Sequence, residues 1–157
     1  MKVILLAAGS LPNSYLKEGV NLYAQKLKHY CSFEICEVQL KKGASEDAAR
    51  QQAIESDLLL AKIKPSDWLV LLDERGKVFT SEAWAAELQN YLNKVRGNLI
   101  FCIGGSFGFS PALYERANAK VSFSNMTFNH QMFRLIFLEQ LYRGFSILKN
   151  EPYHHGG

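Results

Sequence analysis

Apolar residues fall in short unbroken runs separated by longer amphipathic stretches. "KVILLAAG" is a buried-strand run closed by Gly9, and 16–30 follows with Val20, Tyr23, Ala24 and Leu27 at helical spacing. "SFEICEVQL" alternates through Phe33, Ile35 and Val38, the pattern of a strand. Ser45 then reads as the cap of a polar, Ala-rich helix that runs to about Ile63 and is broken by Pro65. "DWLVLLD" is a second buried strand. Thr80 or Ser81 opens a helix carrying Trp84, Leu88, Tyr91 and Leu92 on one face, and "NLIFCIGG" is a further buried strand that stops on a glycine pair. Ser110-Pro111 has the form of an N-cap followed by Pro at the first helical position. "AKVSFSNMTF" predicts a fifth strand, and Asn129 caps a last helix reaching about Leu148.

Alternating strands and helices with continuous apolar strands predict one α/β domain over 1–157, a largely parallel sheet covered by helices on both faces. In such sheets ligands bind outside the carboxyl ends of the strands. That directs attention to "LLDERGK", "IGGSFGF" and the exit of "SFSNMTFNH".

Composition narrows the class. With 48% apolar and 21% charged residues, 11 Gly, 4 Pro and no repeat, the chain is neither disordered nor fibrous. The longest strictly apolar run, Val3 to Ala8, is too short for a membrane span or a signal-peptide core, so a soluble cytoplasmic protein without membrane association is expected. Cys31, Cys36 and Cys102 lack metal-ligand spacing, so neither a disulfide framework nor a metal site is expected. A net charge of +3 tolerates a polyanionic partner without identifying one.

Gly104, Gly105 and Gly108 resemble a phosphate loop, yet the G-x-G-x-x-G order is absent, which argues against a dinucleotide site, and no Lys-Ser/Thr follows, which excludes a P-loop; the glycines either allow a tight strand-to-helix turn or admit a ligand to the backbone. Asp73, Glu74, Arg75 and Lys77 read as a solvated charged turn, with the Leu72 backbone as the part able to bond a ligand. His130, at a helix N-terminus where the dipole favours a neutral ring, either bonds a ligand or caps the turn. Glu139 and Arg143, one turn apart, form either a local ion pair or part of a site. The last helix is apolar nearly all round, which predicts that part of it meets a second subunit in a homodimer. Tyr153, His154 and His155 give the tail donors, acceptors and stacking surface unusual for a frayed end.

Taken in order, "LLDERGK", "IGGSFGFS", "SFSNMTFNHQMFR", "LEQLYRGFSI" and "PYHH" resemble the RlmH family, SPOUT-class methyltransferases acting on N3 of a pseudouridine in large-subunit ribosomal RNA. The resemblance spans the chain. It implies a SPOUT-type trefoil-knotted α/β fold, with the knot and cofactor site in about 70–157. It implies S-adenosylmethionine held at Leu72, Gly104 and the run Phe123, Ser124, Asn125, Met126, Thr127, Phe128. It also implies a dimer whose sites are completed by the neighbouring subunit, and assembled ribosomes as substrate. Asn129 stands where the family has Pro, Phe109 where Leu is common, and the chain ends His155-Gly156-Gly157.

Because N3 of a uracil ring carries a proton, methylation there needs a base or a cation beside the ring. Candidates are His154 as base or relay, Arg143 as cation, Tyr153 for stacking or hydrogen bonding, and His130 as second choice of base. Two other readings are a non-catalytic ribosome-binding α/β module and a small-molecule methyltransferase.

Overall fold

The computed structural model describes residues 1–39 and 47–155. The elements in chain order are β1 (Val3–Ala8), α1 (Ser14–Leu27), β2 (Phe33–Val38), α2 (Ala48–Leu60), β3 (Trp68–Val78), α3 (Ser81–Lys94), β4 (Leu99–Ile103), α4 (Pro111–Arg116), β5 (Ala119–Ser122) and α5 (His130–Leu148). The five strands form one sheet in the order β2-β1-β4-β3-β5, every neighbouring pair parallel.

Strand alternation sorts the core into two layers. Val3, Leu5, Ala7, Phe101 and Val70 face one side, where Leu16, Val20, Trp84, Leu88, Phe137 and Leu141 of α1, α3 and α5 cover them. Leu6, Ala8, Leu69, Leu71, Ile100 and Cys102 face the other, under Leu59 of α2 and Leu113 of α4. The expected parallel sheet with helices on both faces is therefore observed. Caps begin the helices where the sequence places them: Thr80 Oγ1 accepts from Ala83 N, Ser110 Oγ from Leu113 N, and Asn129 Oδ1 from Gln131 N at 2.9 Å. For α2 the cap is Asp47, whose side chain accepts from Ala49 N; the cap expected at Ser45 lies outside the described residues.

Two expectations are corrected. The charged stretch 73–77 is not a free turn but continues β3 to Val78. Leu72 and Lys77 both register against Val121, so the four residues between them bulge while the strand resumes pairing with β5. Conversely, β5 ends at Ser122, and 123–129 is irregular. The apolar circumference of α5 is also largely accounted for within one chain: Phe137, Leu138 and Leu141 are fully buried, and Phe145 nearly so.

Arg134 of α5 is 1% exposed. Its guanidinium donates to Glu37 Oε1 at 3.0 Å and to the Ala8 and Gly9 carbonyls at 2.9 and 2.8 Å, tying α5 to the ends of β1 and β2. Burial lowers its pKa and Glu37 opposes that shift.

Candidate active site

Where β3 bulges and β4 and β5 end, a cleft of about 520 Å³ opens, lined by segments from 72–75, 103–109 and 121–133. The volume falls in the ordinary range for small-molecule sites. Leu72, Ile103 and Val121 line it from the three strands. Its walls are the glycine loop on one side and the irregular segment 123–129 on the other.

The irregular segment is anchored by Phe123, whose ring meets Trp84 at 5.0 Å and Phe137 at 5.6 Å between centroids. Ser122 Oγ donates to the Ser124 carbonyl, and Met126 N donates to Ser124 Oγ, both at 2.9 Å, so side-chain bonds replace strand pairing here. Glu74 reaches across the opening, accepting from Thr127 Oγ1 at 3.0 Å. Asp73 accepts from the Tyr114 hydroxyl at 2.5 Å. Burial, followed by Asp73, pushes that phenol up to about 12. Asp73, Glu74 and Arg75 thus line the cleft, whereas their sequence reads as a solvated turn.

The glycines have separate reasons. Gly108 has φ +73, a left-handed conformation that closes the loop through a Gly108 N–H to Gly105 carbonyl bond at 3.1 Å. A Cβ at Gly104 would sit 3.2 Å from the Phe109 ring. At Gly105 it would sit 2.3 Å from the carboxylate of Glu55.

Of the residues singled out for a cofactor, Leu72, Gly104, Phe123, Ser124, Met126, Thr127 and Phe128 line the cleft together. Asn125 is exposed and stands outside its lining. His130 lines it too, as the first residue of α5; the capping role belongs to Asn129.

Arg143, Tyr153 and His154 lie elsewhere. Thirteen helical steps of α5 separate His130 from Arg143, about 20 Å at the rise of an α-helix. There Arg143 pairs with Glu139 at 2.6 Å, donates to His154 Nδ1 at 3.1 Å and lies over the Tyr153 ring at 4.8 Å. The Glu139 bond raises the Arg143 pKa. The Tyr153 hydroxyl donates to Glu139 at 3.0 Å and meets Tyr23 Oη at 3.3 Å; burial, then Tyr23 and Glu139, raises its pKa. His154 Nε2 stands 2.8 Å from Glu82 Oε1. Because a guanidinium only donates, Nδ1 of His154 accepts and Nε2 carries the proton given to Glu82. Both ring nitrogens are engaged, so His154 has no free lone pair while Arg143 holds Nδ1. The tail is docked, not frayed, and its partners Glu82 and Tyr23 carry no sequence signal that links them to it.

A family described as predicted SPOUT methyltransferase matches residues 1–154. The chain belongs to this family. SPOUT membership agrees with the parallel sheet and with a cleft at its strand ends, and implies the trefoil knot. Relatives named ribosomal RNA large subunit methyltransferase H include those of Parabacteroides distasonis, 46% identical over 158 residues, and Cytophaga hutchinsonii, 46% identical over 157. The matches cover 99% of this chain in both cases, and 99% and 100% of those proteins. Among solved structures, a probable methylase family protein from Haemophilus influenzae superposes with a TM-score of 0.52 at 11% identity, covering 99% of this chain and 70% of that one; this likeness concerns the fold. Among the described residues no helix is long and apolar enough to cross a membrane, and no group of three or more His, Cys, Asp or Glu side chains could hold a metal ion.

Proposed function

We propose that the protein is an S-adenosylmethionine-dependent methyltransferase that modifies N3 of a pseudouridine in large-subunit ribosomal RNA, on assembled ribosomes and as a homodimer. The observation that carries this is the convergence of Leu72, Gly104, Phe123, Ser124 and 126–128 on one cleft, in a chain 46% identical over nearly its whole length to proteins named for that class of reaction. The cleft suits the donor chemically. Strand-end backbone offers donors and acceptors, Phe123 and Phe128 offer apolar surface, and Asp73 and Glu74 place negative charge near a cationic ligand. When bound, S-adenosylmethionine supplies an electrophilic methyl group.

The chain's own residues do the rest. The cleft walls hold the donor in one orientation, so that much of the barrier is met by positioning. On the acceptor side, N3 must lose its proton and the ring must tolerate negative charge. Arg143 provides the cation, Tyr153 a stacking face, and His154, once released from Arg143, the lone pair that receives the N3 proton. Within one chain these groups stand at the far end of α5 from the cleft, so the complete site uses the cleft of one subunit and the tail of the other. Exposed Phe107, Met126 and Phe128 at the mouth, with Met132 in the first turn of α5, provide apolar surface for that contact.

The test is transfer of labelled methyl from S-adenosylmethionine to ribosomes from a strain lacking the modification. Label at N3 of one pseudouridine is expected. Donor binding without transfer would favour a non-catalytic module, and labelling of free nucleosides without ribosomes would favour a small-molecule enzyme. Either result overturns the proposal.

A further inference from the structure

Behind the glycine loop lies a face of α2 that none of the chemistry above uses. Gln52, Glu55, Ser56 and Leu59 recur at the spacing of one helical stripe. Leu59 is part of the core, while the other three meet the loop. Gln52 Nε2 donates to the Phe107 carbonyl at 2.7 Å. Ser56 Oγ hydrogen-bonds Ser110 Oγ, the cap of α4, and both serines are buried. Glu55 is 5% exposed, and its carboxylate lies against Gly105 so closely that a Cβ there would force it aside.

Its hydrogen bonding is incomplete. Oε2 accepts a long bond from Gln51 Nε2 at 3.5 Å, and Oε1 is buried with no hydrogen-bond partner among the described residues. A buried acceptor left unpaired is costly, and native structures keep few of them. The nearest backbone is the glycine loop. In this structure the Gly105 carbonyl is used to close that loop onto Gly108. A turn of a peptide at Gly105 would present an N–H to Glu55 and a carbonyl to the cleft, and glycine makes such a turn inexpensive.

We propose that Glu55 is a positioning residue for donor binding: its free carboxylate oxygen takes an N–H from Gly105 or Ser106 when a ligand enters, fixing the glycine loop in its bound form. The inference rests on the donor-binding reading above. A ligand shifts the loop only by as much as it favours one state, and the satisfied Glu55 acceptor supplies that preference.

The experiment compares Glu55→Gln with the parental protein by calorimetry, using S-adenosylmethionine, which is cationic at sulfur, and S-adenosylhomocysteine, which is not. It adds amide exchange of residues 104–108 with and without each ligand. In the parental protein, ligand is expected to protect the Gly105 or Ser106 amide. Glu55→Gln, which keeps one acceptor oxygen but loses the charge that strengthens the bond, should reduce that protection and weaken both ligands equally, by about tenfold, raising KM for the donor while kcat at saturation stays within about twofold. Gln52→Ala, at a partly exposed position, should shift both affinities in the same direction by a smaller factor, and it serves as the reference should Glu55→Gln fail to fold.

Unchanged affinities with unchanged exchange overturn the inference. A loss confined to the cationic donor overturns it as well, because Glu55 would then act by charge on the ligand. If the parental protein binds neither ligand, the donor-binding reading fails first and the inference falls with it.

Discussion

Gly76→Ala gives the sharpest test of how the cleft is held together. Gly76 lies in the stretch of β3 that bulges and returns to β5. A Cβ there would sit 2.5 Å from Val121 N, 2.6 Å from Val121 C and 2.7 Å from Lys120 C. Ordinary van der Waals contact is about 3.5–4 Å, so the two backbones must part by about 1 Å. The obstacle is backbone in a paired strand, which cannot swing aside as a side chain would. Overpacking of this kind costs about 1–3 kcal/mol, and three simultaneous backbone contacts place this site at the upper end, about 3 kcal/mol. For a chain of this size that lowers Tm by about 6–12 °C. Leu72 and Val121 line the cleft from the same two strands, so the substitution should also weaken S-adenosylmethionine. Urea and thermal unfolding followed by circular dichroism give the first quantity, and calorimetric titration the second. A variant within about 0.5 kcal/mol of the parent, with parental affinity, would refute the argument that close β3–β5 approach builds this wall.

Arg134→Ala should destabilise by about 2–3 kcal/mol in urea unfolding, since it leaves the buried Ala8 carbonyl and the half-buried Gly9 carbonyl without their donor; Arg134→Lys should recover little, because one ammonium cannot reproduce the fork. Deleting 152–157 should leave donor affinity near parental in calorimetry, lower stability by about 1–2 kcal/mol through loss of the Tyr153 contacts, and sharply reduce ribosome methylation; parental methylation would remove the tail from the reaction. Acid should release the tail before the sheet unfolds. The His154 hydrogen bond holds the Glu82 carboxyl below its ordinary pKa, so this contact contributes above the usual carboxylate range and is lost as pH falls through the depressed value. Tail resonances that stay fixed until global acid unfolding would contradict this. Light scattering should return twice 17.8 kDa; the monomer mass at micromolar concentration would exclude the shared site.

The fold was legible where local pattern and long-range contact agree. Apolar runs announced β1, β3 and β4, and Thr80, Ser110 and Asn129 announced helix starts, because burial and capping are read within a few residues. The misread segment, 73–77, carries charge, and its strand character comes from pairing with β5, about 45 residues later in the chain. The strand-end rule located the cleft. Glu55 behind Gly105 and Arg134 inside the core were not visible, since a charged residue on a helix reads as solvent-facing unless the pattern of the neighbouring elements is already known. The Glu139–Arg143 spacing left two readings open. The structure forms the pair and extends it through Tyr153 and His154 to Glu82, on a helix far away in sequence.

The parallel pairing of β3 with β5 has a kinetic consequence. Neither the β3–β5 lining of the cleft nor its 123–129 wall can form from the first two thirds of the chain alone: Leu72 waits for Val121, and Phe123 waits for Phe137 of α5. Contacts so distant in sequence form slowly, after local helices and the β1–β2 pair. During synthesis the N-terminal half emerges and collapses first, with the exposed edge of β3 unsatisfied until the last segment arrives. Gain of donor affinity during refolding should therefore lag behind recovery of helical signal, and ligand added early should leave the slow phase unaccelerated because nothing yet exists for it to bind.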